Sequence, residues 1–140
     1  MRLKQMLKPI ILAFIGGATY VLIEIAWRGY SHISMFILGA LCFVLIGSIN
    51  EFFSWQLGLL WQMLIGAVIV TVLEFNVGMI VNVWLGLGVW DYSNLPLNFM
   101  GQICLPFSCA WAILSGVAIV VDDYLRYWLF GEEKPHYKIL

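Results

Sequence analysis

The sequence predicts an all-α protein: an integral membrane four-helix bundle with an irregular or re-entrant segment before the last helix. Three observations support this prediction. Of its 140 residues, 63% are hydrophobic and only 11% are charged, whereas a soluble domain carries roughly 25% charged residues. Long apolar runs follow one another along the chain, and seven Trp suit the two lipid–water interfaces. We expect one membrane domain over residues 1–140, with the lipid bilayer as its surroundings.

Four apolar stretches are candidate membrane spans, because a crossing helix needs about 20 mostly apolar residues. They cover about 10–28, 33–50, 57–81 and 99–121. The first follows a basic start and resembles a signal peptide. Its apolar run exceeds the usual core of about 7–15 residues, so we interpret it as a retained signal anchor.

The third stretch is longer than one crossing requires, since its apolar character continues to Trp90. Either this helix is long and tilted, or it ends near Val81 and the chain then lies at the surface or folds back. Gly78, Gly86 and Gly88 favour an interruption. Irregular backbone at membrane depth is tolerated only where protein or a wet cavity satisfies it. Residues 82–98 form a polar segment that we expect on the outer side.

The basic residues predict the orientation. Of the seven, only Arg28 falls in an outer loop. The other six flank the first and last spans; they are Arg2, Lys4, Lys8, Arg126, Lys134 and Lys138. An excess of Lys and Arg marks cytoplasmic segments. The sequence therefore predicts a multi-pass protein of the cell membrane with both termini cytoplasmic. Its cytoplasmic tail covers 122–140, and we expect the polar stretch at 131–140 to be mobile.

Polar residues of the inner side are interpreted as ordinary interfacial groups. Asn50, Glu51 and Gln56 bracket the inner loop, and Asp122 and Asp123 close the fourth span.

On the outer side, polar residues from separate segments converge at one depth. Glu24 and Arg28 are four residues apart and share a helical face. Glu74 lies about 25 Å along its helix from Leu57, near the outer side. The candidate ligand-binding set is Glu24, Arg28, Glu74, Asn76, Asp91, Asn94, Asn98 and Gln102.

Two interpretations of this set stay open. A charge at the bilayer centre costs at least about 2.5–3.5 kcal/mol. The three acids of the set, Glu24, Glu74 and Asp91, carry three formal negative charges against the single positive charge of Arg28, which leaves an excess of two. In the first interpretation, they form an outward-facing polar pocket for a small cation or a polar head group, with Glu74 carrying the exchangeable charge. In the second, the cluster only fixes helix packing, at roughly 0.6–2 kcal/mol for each polar contact. Trp90 and Tyr92 are expected to anchor the loop at the outer interface.

Other classes of function find little support in the sequence. A lipid-head-group enzyme would need a nucleophile arrangement or a metal triad, and neither is visible; we expect no enzyme. His32 and His136 are predicted on opposite sides of the membrane, and the sequence assigns no metal or cofactor. The net charge of −1 suggests no nucleic-acid partner. Because one protomer of four helices has few helices with which to enclose a transport pathway, we expect a homo-oligomer (a dimer) or a partner membrane subunit.

The stretch WDYSNLPLNFMGQICLPFSCAW at 90–111 and the acid-bearing VLEFNVGMIVN at 72–82 carry a family resemblance. The chain resembles the ABC-transporter type IV, or CmpB-like permease, family of small four-helix membrane proteins over roughly 10–121. This resemblance implies a permease-like membrane transport component.

Overall fold

The computed structural model describes residues 2–49, 57–137 and 139, and within them it confirms the predicted all-α bundle. Four α-helices contain most of the residues that the structure describes. They are α1 (Arg2–Arg28), α2 (Ile33–Gly47), α3 (Leu59–Gly78) and α4 (Leu105–Phe130). A π-helical segment, Met79–Trp84, continues α3. The only strands described in these residues are β1 (Asn98–Phe99) and β2 (Ile103–Cys104), which pair antiparallel with Asn98 opposite Cys104.

Three helices are long and apolar enough to cross a membrane: α1, α3 with its π-helical continuation, and α4, at 27, 26 and 26 residues. At 1.5 Å per residue each extends about 40 Å, against a hydrocarbon core of about 30 Å. The chain is therefore a membrane protein. The fourth apolar helix, α2, has 15 residues, fewer than a perpendicular crossing needs, and the four crossings of the sequence interpretation stay a prediction.

Indole side chains near the helix ends face outward. Trp27 is 86% exposed, and Trp84 and Trp128 are also largely exposed, which is typical of interfacial belts. Trp90 differs, because its ring is buried and its Nε1–H donates to the Gln102 carbonyl at 3.0 Å. The expectation that Trp90 anchors the loop at the interface is wrong.

Consecutive helices run antiparallel. The bundle therefore has two ends. One carries the first residues of α1 and α3 and the last residues of α2 and α4, and we call it the terminal end. The other carries residues 29–32 and 85–104, and we call it the loop end. Small residues allow α1 and α2 to approach closely: Gly16 lies against Phe43, and Gly39 lies against Tyr20.

The bounds of the last two helices have local causes. The helix that begins at Leu59 continues past Val81 to Trp84, after which residues 85–97 are irregular. The last helix begins at Leu105 rather than at 99, because residues 98–99 and 103–104 pair as strands. Pro106 lies in its first turn, where a missing N–H is tolerated, and Gly131, with φ of 65°, ends it.

The segment after α4 is docked on the bundle, unlike the mobile tail that the sequence predicts. Pro135 is buried. The Tyr137 hydroxyl donates to Asp123 Oδ2 at 2.8 Å, and the Ile139 carbonyl accepts from the Leu60 N–H at 3.0 Å. The predicted inner-loop residues Asn50, Glu51 and Gln56, together with Trp55 and Lys138, lie outside the described residues.

Candidate functional site

A cavity of about 410 Å³ lies between α1 and α4. It exists because α1 packs mainly on α2 and α4 packs mainly on α3, so α1 and α4 make little contact with each other. We call this cavity the α1–α4 cleft. Its α1 wall carries residues at a four-residue spacing, which places them on one helical face: Ile15, Thr19, Ile23 and Trp27. Its α4 wall includes Trp111, Leu114, Ser115, Ala118 and Val121.

The carboxylate of Glu74 lines this cleft from α3 and is 3% exposed. Its Oε2 accepts from the Tyr92 hydroxyl at 3.0 Å, and its Oε1 accepts from Trp111 Nε1 at 3.4 Å. Within residues 2–49, 57–137 and 139, no Lys, Arg or His forms an ion pair with Glu74. Among the described residues, the hydrogen-bond donors of Glu74 are therefore the neutral groups of Tyr92 and Trp111.

Tyr92 reaches Glu74 from the loop. Burial raises the pKa of the Tyr92 hydroxyl well above its ordinary value, and the neighbouring Glu74 raises that pKa further. The phenol thus stays neutral and can donate. Its ring stacks on Phe107, with centroids 4.8 Å apart and an interplanar angle of 8°. The loop therefore supplies a well-positioned donor to the cleft.

Glu24 also lines the cleft, and it forms an ion pair with Arg28. Arg28 Nη2 and Nε lie 2.6 and 2.7 Å from Glu24 Oε2. Arg28 Nη1 additionally donates to the Val89 carbonyl at 3.2 Å, which ties α1 to the loop. Glu24 and Glu74 against Arg28 leave the loop end of the cleft with one formal negative charge in excess.

Gln102 does not line the cleft; its side chain forms hydrogen bonds that hold the loop in place. Its Oε1 accepts from Asn82 Nδ2 at 2.9 Å, and its Nε2 donates to the Met100 carbonyl at 3.1 Å. Asn82, in the π-helical segment, also accepts from the Val89 N–H at 2.6 Å. Buried amides with satisfied hydrogen bonds fix local structure, and here they hold the irregular segment against the end of α3.

The four remaining candidates are exposed. Asp91 accepts from the side chain and the N–H of Ser93, and these bonds lower the pKa of its carboxyl. Asn98 Nδ2 donates to the Leu95 carbonyl at 2.9 Å, and Asn76 Nδ2 donates within its own helix at 2.8 Å; Asn94 lies in the exposed part of the loop. The structure thus brings Glu24, Arg28 and Glu74 together and leaves Asp91, Asn76, Asn94 and Asn98 outside the cleft.

Sequence reasoning missed the aromatic donors around Glu74. Tyr20, Tyr92 and Trp111 all line the cleft, whereas the sequence interpretation placed Tyr92 at the interface. A signal existed: a carboxylate inside an apolar helix needs donors, and Tyr and Trp are apolar side chains that carry one.

A second group of charges is buried at the terminal end, where the sequence predicted ordinary interfacial residues. Asp122, Asp123 and Arg126 are 1%, 5% and 4% exposed. Arg126 Nη2 lies 2.6 Å from Asp122 Oδ2 and 3.0 Å from Asp123 Oδ1, and it also donates to the Gly47 carbonyl. That interpretation of Asp122 and Asp123 is wrong, because α2 and the docked C-terminal segment cover them.

No group of three or more His, Cys, Asp or Glu suited to a metal ion occurs in the part of the chain that the structure describes.

The helices define an α-helical membrane protein, and Glu24 and Glu74 line the cleft between α1 and α4. The model of a family described as "Putative ABC-transporter type IV" (ABC_trans_CmpB) matches residues 6–132. The chain belongs to this family, which confirms the family resemblance found in the sequence and supports a general role in membrane transport. Searches of curated proteins and of solved structures found no match.

Proposed function

We propose that the protein is a membrane transport component in which the loop end of the α1–α4 cleft binds a small cation or a cationic polar head group at Glu74. The observation that supports this most is the Glu74 carboxylate, buried in a cavity with neutral donors and no ion pair among the described residues. Ionisable groups inside membrane helices mark ion or substrate pathways.

The proposed chemistry is an exchange at one carboxylate. A buried carboxyl group is held neutral by a proton or compensated by a cation, because an isolated buried charge is unfavourable. A cation that binds at Glu74 then replaces the proton. Tyr92 and Trp111 donate to opposite oxygens of the carboxylate and so fix its orientation in either state.

The alternative is a structural or assembly protein whose polar residues only fix packing. The contacts divide the predicted set between the two functions. Gln102 bonds to Asn82, and Asn98 bonds to the Leu95 carbonyl within the loop, which fits packing. Glu74 faces a cavity, which fits binding.

The setting of the site follows from the charge distribution. With both termini cytoplasmic and the protein in the cell membrane, the loop end and the acidic part of the cleft face outward. Because four helices alone are few for a transport pathway, we also propose that a homodimer or a partner membrane subunit completes it.

The test uses purified protein in neutral-lipid nanodiscs, with ethylammonium and Na⁺ as probes and thermal stability and proton release as readouts. We expect ethylammonium to stabilise the wild type and to release protons, and we expect Glu74→Gln to lose both responses. Glu133→Gln is the matched control, since Glu133 is exposed in the C-terminal segment. Equal responses in the wild type and Glu74→Gln would contradict the proposal and leave the packing role.

A further inference from the structure

The shape of the cleft indicates which kind of cation it binds. This inference rests on the proposed function. We propose that the ligand is an amphiphilic cation, with one positive head group at Glu74 and an apolar chain that lies along the α1–α4 cleft toward the terminal end. In this arrangement the ligand enters sideways from the bilayer.

The lining changes from acidic to apolar along the cleft. Glu24 and Glu74 lie toward the loop end, whereas Ile15, Ile46 and Val121 lie toward the terminal end. On α1 the nine residues from Glu24 back to Ile15 correspond to about 14 Å. A small inorganic ion at Glu74 would leave this apolar part of the cleft unfilled, whereas an alkyl chain would fill it.

The surroundings of Glu74 favour an organic ammonium over a metal ion. Metal cations such as Mg²⁺ or Ca²⁺ take about six or more oxygen ligands, and the cleft offers few besides its carboxylates. Aromatic rings surround the carboxylate instead: the centroids of Tyr20 and Trp111 are 6.1 Å apart, and those of Phe107 and Trp111 are 6.5 Å apart. Such rings attract an ammonium group through their faces.

The charge balance selects a cationic head group over a zwitterionic one. Glu24 and Glu74 exceed Arg28 by one negative charge, which one ammonium group would neutralise. A phosphate on the same head group would lie beside Glu24, while Arg28 is already occupied by Glu24 and by the Val89 carbonyl. Like charges at this distance in a low-dielectric site are unfavourable.

The rim of the cleft explains the lateral route. Ile23 and Trp27 on α1, and Leu114, Val117 and Val121 on α4, are all exposed on the apolar surface of the bundle. An alkyl chain already dissolved in the bilayer would meet this opening without crossing water.

The experiment compares dodecylammonium, ethylammonium and dodecanol as ligands of the protein in neutral-lipid nanodiscs, with intrinsic tryptophan fluorescence as the binding signal. With affinities referred to the aqueous ligand concentration, we expect dodecylammonium to bind at least about tenfold more tightly than ethylammonium, since transfer of two methylene groups from water suffices for that factor. Dodecanol, which enters the bilayer through the same chain, should bind weakly. An Ala118→Phe variant, which fills the chain portion of the cleft, should weaken dodecylammonium about tenfold and leave ethylammonium unchanged. The chain-length comparison in the wild type tests the idea even if this variant fails to fold.

The outcomes separate the two proposals. If ethylammonium and dodecylammonium bind equally and both depend on Glu74, the amphiphile is excluded and the cation site stands. If dodecanol equals dodecylammonium, the head-group charge is irrelevant and the inference fails. If neither amine binds, the proposed function fails as well. A photo-crosslinker at Thr19 that captures a second copy of the chain instead of dodecylammonium would show that a protomer occupies the cleft, which overturns the inference.

Discussion

Replacing Arg126 by Met should strongly destabilise the protein. The guanidinium of Arg126 lies 2.6 Å from Asp122 and 3.0 Å from Asp123, and all three residues are at most 5% exposed. Methionine preserves much of the apolar stem but removes the charge and the donor to the Gly47 carbonyl. Two buried carboxylates would then lose their ion pairs with the Arg126 guanidinium.

The expected loss follows from the desolvation of these groups. Removing one partner of a buried ion pair costs about 3–5 kcal/mol, which lowers the folding equilibrium constant by roughly two to three and a half orders of magnitude. SDS titration of the protein in mixed micelles, followed by tryptophan fluorescence, measures this difference. Lys134→Met is the control, because Lys134 is exposed, and it should change the free energy of unfolding by less than about 0.5 kcal/mol.

A triple variant separates lost charge pairing from lost packing. Asp122→Asn, Asp123→Asn and Arg126→Met together leave no buried charge in the group, and replacing a whole buried ion cluster is often close to neutral. We expect the triple variant to recover most of the stability that Arg126→Met loses. If Arg126→Met alone matches the wild type within about 0.5 kcal/mol, the reasoning about this cluster is refuted.

Two further predictions concern helix contact and the docked C-terminal segment. A Cβ at Gly66 would lie 2.6 Å from Ser115 Oγ, so Gly66→Ala should lower the free energy of unfolding by about 1–3 kcal/mol in the same titration. Ser115→Gly should rescue it, and a failure to rescue would place the strain elsewhere. Burial, and then Asp123, raise the pKa of the Tyr137 hydroxyl, so the unfolded chain releases this proton at a lower pH than the folded protein. The contribution of this raised pKa to the free energy of unfolding is fully present below the ordinary tyrosine pKa of about 10. It is lost as the pH rises toward the higher pKa of Tyr137 in the folded protein. Stability should therefore fall more steeply above about pH 10 in the wild type than in Tyr137→Phe, and identical slopes would count against the Tyr137–Asp123 contact.

The fold was predictable because lipid imposes few solutions on the chain. Apolar length alone located the helices, and the four-residue spacing of Glu24 and Arg28 anticipated their ion pair. The predicted rise along the third helix placed Glu74 in the same layer as Glu24, and both line one cleft. These features depend on local spacing, which the sequence carries directly.

The contacts of the loop could not be predicted, because they depend on long-range geometry. Tyr92 reaches Glu74 only because Asn82 and Gln102 hold the irregular segment against the π-helical end of α3. Likewise, nothing near Asp122 in the sequence distinguishes an interfacial acid from a buried one. Its burial depends on the close approach of Gly47 and on the covering C-terminal segment.

The binding of dodecylammonium across pH to the wild type and to Glu74→Gln, in neutral-lipid nanodiscs, tests the central claim most directly. If one carboxylate exchanges a proton for the ligand, wild-type affinity falls on acidification, about tenfold per pH unit at the steepest point, while Glu74→Gln binds weakly at every pH. Tight binding by Glu74→Gln with the same pH dependence as the wild type would contradict the account.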